Sequence, residues 1–118
     1  MNEAANQRMQ DYFRRAQAAC KARESALAAD GRADEAVFEK IRGNVLSLSE
    51  AVWKAAAQQA DPAEFFRRRM AQIPAAWAQA REKALIHGDE NRAYLEQIKL
   101  STAEDVRRAF SHIREGEV

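Results

Sequence analysis

Apolar residues recur along this chain in steps of three and four, the spacing that keeps one face of an α-helix dry. Four such stripes follow one another. The first joins Met9, Phe13, Ala16, Cys20 and Leu27, and the second Phe38, Ile41, Val45, Leu48, Val52 and Ala55. The third joins Phe66, Met70, Ile73, Trp77, Ala80 and Ala84. The fourth joins Leu95, Ile98, Thr102, Val106, Ala109 and Ile113, with Phe110 beside it. Each stripe is narrow, as in the seam of a bundle. No β-branched run offers an alternative strand.

Helix start and stop signals divide the chain at matching places. Asp30-Gly31 and His87-Gly88 end the first and third stripes, since glycine tolerates the left-handed conformation that closes a helix. Asp61-Pro62-Ala63-Glu64 opens the third with an N-cap, a first-turn proline and a capping-box-like glutamate. The expected helices cover about 3–29, 33–60, 62–87 and 90–115, each roughly 40 Å long. Connections this short make neighbours antiparallel. The fold class is all-α, an up-down-up-down antiparallel four-helix bundle in one domain over 1–118.

Pro74 lacks an N–H for the carbonyl of Met70, so a kink is expected there. Ser47-x-x-Glu50 and Ser101-x-x-Glu104 are capping-box strings, and Gly43 precedes the first of them. They raise a six-helix alternative. The stripes keep phase through both places, which favours continuous helices.

The two halves echo each other. ARESALAADG (22–31) resembles AREKALIHG (80–88), and LSLSEAVWKA (46–55) resembles LSTAEDVRRA (100–109). Ala36, Glu39 and Ile41 fall on Ala93, Glu96 and Ile98, while DYFRR (11–15) falls on EFFRR (64–68). The offset drifts between 53 and 58. An internally duplicated helical hairpin explains the ordered set, with hairpins over about 3–60 and 62–115 and a pseudo-two-fold axis between them. One hairpin cannot cover its own stripe, and a second copy can.

Composition sharpens this picture without adding chemistry. Of 118 residues, 26 are alanine, and 19 Lys+Arg nearly balance 18 Asp+Glu for a net charge of +1. No global field steers the chain toward nucleic acid or an anionic membrane. The N-terminal MNEAANQRMQ is polar, and no run approaches the ~20 apolar residues of a membrane span. A cytoplasmic protein without a membrane partner is expected. The lone Cys20 lies on an apolar stripe, as a small buried hydrophobe.

Motifs for catalysis are missing. There is no phosphate-binding glycine loop, and no Glu-x-x-His string for a di-metal bundle. His87 reads as a helix C-terminal residue and His112 as a solvent-edge residue rather than as ligands. The expectation is a non-enzymatic protein with no cofactor and no metal. Arginine outnumbers lysine 14 to 5 and clusters at Arg14-Arg15, Arg67-Arg68-Arg69 and Arg107-Arg108, which suits phosphate contacts. Asp11, Glu64 and Glu104 precede Arg15, Arg68 and Arg108 by four residues, and Glu50 precedes Lys54 likewise. This order favours helix-surface ion pairs.

One place distinguishes the two copies. Trp53 corresponds to Arg107, and Phe65 to Tyr12, so both aromatic residues are expected half-exposed at the bundle's edge. Trp53 and Phe65 with the adjacent Arg67 and Arg68 form the candidate partner-binding residues. The expected function is a protein–protein interaction or structural module, whose partner is another protein or a second copy. The alternative is a nucleic-acid-binding accessory protein using the arginine clusters.

Overall fold

Asn2 begins the first helix because its side-chain oxygen accepts the otherwise orphaned N–H of Ala5 at 2.8 Å. The computed structural model describes residues 2–116 of the domain expected over 1–118. Among these residues the chain is entirely helical, without strands: α1 (Glu3–Ala29), α2 (Ala33–Ala56), α3 (Pro62–Gln72), α4 (Pro74–Ile86) and α5 (Glu90–Glu115). The third expected helix is thus two segments. Ile73 keeps right-handed helical angles (φ −56°, ψ −44°), and its N–H still reaches Arg69. Pro74 then leaves the Met70 carbonyl without its ladder partner, so the interruption falls where the kink was expected. α2 and α5 run unbroken through Gly43 and Ser101. α2 stops at Ala56, one turn before the expected end at 60.

Each turn has a local cause. After α1, Gly31 (φ +73°) donates to Ala28 at 3.1 Å, and Arg32 donates to Leu27 at 2.9 Å. After α4, Gly88 (φ +72°) donates to Leu85 at 3.1 Å and Asp89 to Ala84 at 2.8 Å. Both are Schellman closures, which satisfy the last carbonyls of the helix. Asp61 and Asp89 cap α3 and α5 by accepting from the Glu64 and Arg92 N–H groups. Glu64 does not reach back to complete the box; it is held by Arg67 and Arg68.

These glycines allow a signed prediction. Gly88→Ala should cost about 1–2 kcal/mol, because only the left-handed angle opposes the methyl group. Gly43→Ala should stabilise by about 0.5–1 kcal/mol, because Gly43 lies inside α2 and a Cβ there meets nothing within 4 Å. Urea melts of the two variants check both signs.

The helices pack as a bundle of 44 × 34 × 22 Å. α2 and α5 form its centre: α1 packs on both, α3 on both, and α4 on α5. The core gathers Met9, Phe13, Val45, Val52, Trp53, Phe66, Met70, Val106 and Phe110 with smaller residues between them. At one end, the Trp53 ring meets Phe66 edge-on at 5.1 Å, and Phe66 lies 4.9 Å from Phe110. At the other, Phe38 meets Tyr94 edge-on at 4.9 Å, which brings the two Schellman turns to the same end.

The buried face of α2 differs from the expected stripe. Leu48 and Ala55 are exposed and Phe38 and Ile41 half-buried, whereas Ala36, Glu39, Leu46, Ser49, Trp53 and Ala56 are buried. A helix touching three others buries a wide arc, and this arc includes polar positions that a hydrophobic stripe omits. Ser49 is satisfied locally, its hydroxyl donating to the Val45 carbonyl at 2.8 Å. Thr102 does the same on α5 toward Ile98.

Candidate functional site

Trp53 is 5% exposed, so the expectation of a half-exposed residue at the bundle's edge is corrected. Its indole lies between Phe66 and Phe110, and its Nε1 donates to Asn6 at 2.9 Å. An indole gains most when its rings are dry and its N–H is paired, and this site supplies both. The corresponding Arg107 points outward with half of its side chain exposed. Aligning Trp53 with Arg107 in the sequence therefore predicted the wrong exposure for Trp53, which faces Phe66, Phe110 and Asn6.

The other expected residues lie on α3. Phe65 is half-buried and packs against the core, as its flanking position implied. Arg67 and Arg68 face solvent, gripped by Glu64. Two hydrogen bonds, at 2.9 and 2.6 Å, run from Arg67 to that carboxylate, and they hold Glu64 below the usual carboxylate range. The four residues do not form one open surface: Trp53 belongs to the core and the arginines to the exterior.

Exposed apolar residues occur instead at the opposite end. Ile86 is 74% exposed, and Leu85, Val37 and Tyr94 are each about half exposed. All four lie within five residues of the turns at 30–32 and 87–89. Leu48, the remaining large exposed apolar residue, stands apart in the middle of α2. A signal was present in the sequence: Leu85-Ile86 closes an alanine-rich helix outside its stripe. Stripe reading looks for buried faces and passes over such residues.

The same half of the bundle holds two buried carboxylates. Glu39 accepts from Arg42 at 2.7 Å, and Arg23 of α1 approaches its other oxygen at 3.1 Å without an aligned hydrogen bond. Glu96 is 1% exposed; one oxygen accepts from Arg92 at 3.0 Å and Lys99 at 3.1 Å, and the other has no partner. Cys20 lies beside Glu39 and Arg23. Burial pushes its thiol up, against the lowering influence of Arg23, so it stays protonated at neutral pH. Among the described residues, no three His, Cys, Asp or Glu side chains gather as metal ligands.

The ion pairs that form run mostly within single helices. Asp11 pairs with Arg14 rather than the expected Arg15, and Glu50 accepts from Gln17 of α1 rather than pairing with Lys54. Glu104 lies 3.7 Å from Arg107 and 3.6 Å from Arg108. His87 and His112 are both exposed, at a helix end and at the solvent edge. No described helix is long and apolar enough to cross a membrane. No protein-family model, no curated protein and no solved structure matches this chain.

Proposed function

We propose that this chain is a non-enzymatic protein-interaction module, built as an up-down-up-down antiparallel bundle from two duplicated helical hairpins. Contacts across the first hairpin support that architecture. Asn6, early in α1, bonds Trp53, late in α2, whereas Arg23, late in α1, pairs with Glu39, early in α2. Matched details support the duplication. The left-handed glycines 31 and 88 lie 57 residues apart, as do the buried Ala36 and Ala93 and the buried Glu39 and Glu96. Each glutamate also has a base three residues on.

The functional reading rests on Val37, Leu85, Ile86 and Tyr94, exposed at the end of the bundle that carries both glycine turns. Their exposure leaves apolar area in water that a partner would cover. Arg67, Arg68, Arg107 and Arg108 pair with glutamates on their own helices and Arg14 with Asp11, which weighs against a nucleic-acid accessory role. A test compares wild type with an Ile86→Asp/Tyr94→Ser variant in affinity capture from the protein's own cells and in sedimentation. Wild type should retain a partner, or a second copy, that the variant loses, with an unchanged melting temperature. Identical capture and identical sedimentation of both would refute the docking surface.

A further inference from the structure

The groove between α3 and α5 differs from its counterpart in the first half of the chain. Its volume is about 380 Å³, and Arg67, Arg107, Arg114 and Ser111 line it above Phe66 and Phe110. No carboxylate lines it, although the chain as a whole carries 18 acids against 19 bases. The corresponding groove between α1 and α2 is lined by Arg14, Gln17, Glu50, Trp53 and Lys54, with Phe13 below. There an acid balances the bases, and an indole stands where Arg107 stands in the second half.

We propose that the α3–α5 groove binds a small phosphorylated molecule, with its phosphomonoester seated among Arg67, Arg107 and Arg114. Glu64 fixes the Arg67 side chain from outside the groove through two short hydrogen bonds. Arg107 is loosely tethered, 3.7 Å from Glu104, and Arg114 forms no ion pair among the described residues. Guanidinium groups are free to turn toward an incoming anion when their existing partners are weak, and their planar fork matches a phosphoryl group. The Ser111 hydroxyl adds a neutral donor. The volume lies near the lower end of small-ligand sites. The adjoining hollow along α5 mixes Glu104 and Glu115 with Arg107 and Arg108, so the acid-free lining is confined to the α3–α5 groove. The groove lies at the Trp53–Phe110 end, away from the apolar turns, so this site stands or falls independently of the docking surface.

Calorimetric titration with inorganic phosphate, AMP and a short single-stranded oligonucleotide tests the site on the full chain. Phosphate and AMP should bind saturably at one site, and AMP binding should weaken about tenfold in Arg107→Gln and in Arg114→Gln. Arg14→Gln, an arginine change in the α1–α2 groove, should leave binding intact. Arg107→Lys keeps the charge without the fork and should bind between wild type and Arg107→Gln. Both positions are exposed, so melting temperatures should hold. Absence of saturable phosphate and AMP binding overturns the proposal. An equal loss in Arg14→Gln, or binding of the oligonucleotide alone, overturns it as well.

Discussion

Phe66→Ala is expected to cost about 3–5 kcal/mol and to lower the melting temperature by roughly 10–20 °C. Phe66 is fully buried and touches the rings of both Trp53 and Phe110. Those three residues come from α2, α3 and α5, so one ring closes the end of the bundle. α3 has only 11 residues, too few to stand as a helix without tertiary contacts. Phe66 is its central anchor, between the buried Ala63 and Met70. The loss is a large part of the ~5–15 kcal/mol that holds a domain folded. Phe65→Ala, at the half-buried neighbouring position, should cost only about 1–2 kcal/mol. Denaturant melts of the two variants separate them. A larger loss at Phe65 would show that the three-ring cluster does not govern this end.

The second large effect concerns the buried carboxylate of Glu96. An Arg92→Ala/Lys99→Ala double variant should lose about 3 kcal/mol. It leaves a 1%-exposed carboxylate with neither of its cations. The cost falls at the lower end for a stranded buried charge because Arg92 and Lys99 approach from the rim, where water can follow. Adding Glu96→Leu to the double variant should restore most of the loss, since the charge that needed neutralising is gone. Glu96→Leu alone should be neutral or stabilising by about 1–2 kcal/mol. It removes an oxygen that already lacks a partner among the described residues, and the exposed Arg92 and half-buried Lys99 can turn to solvent. Urea unfolding of the four proteins forms a cycle. If Glu96→Leu alone destabilises as much as the double variant, the carboxylate holds the helix pair together and the sign assigned to it is wrong.

Helix identity and punctuation were legible because they depend on neighbours in sequence. Gly31, Gly88, Asp61 and Asp89 each act within a single turn of chain, and Pro74 breaks a ladder bond only four residues long. Burial at Trp53 was not legible, because it depends on Phe66, Phe110 and Asn6, which approach from three other helices. The buried arc of α2 was missed for a related reason. Glu39 and Ser49 look like surface residues until Arg42, Arg23 and the Val45 carbonyl are seen to satisfy them. Aligning Trp53 with Arg107 placed both at the bundle's edge, and only Arg107 is there. The tryptophan went inside, and the arginine was left beside an open groove.

α4 leans on α5, meets the end of α3, and has no other helical neighbour among the described residues. Only Ala84 of its 13 residues is buried. Its start is uncapped by any side chain, and the ladder is already broken at Pro74. The free energy of opening it is therefore a fraction of that for the whole domain. Amide hydrogens of residues 75–86 should exchange ahead of those in α2, and a protease should cut there first. Opening of α4 is therefore expected ahead of the other helices, held back by Trp77 where it packs against the core. A partner covering Leu85 and Ile86 would hold α4 shut, and its arrival would register as slowed exchange along that helix.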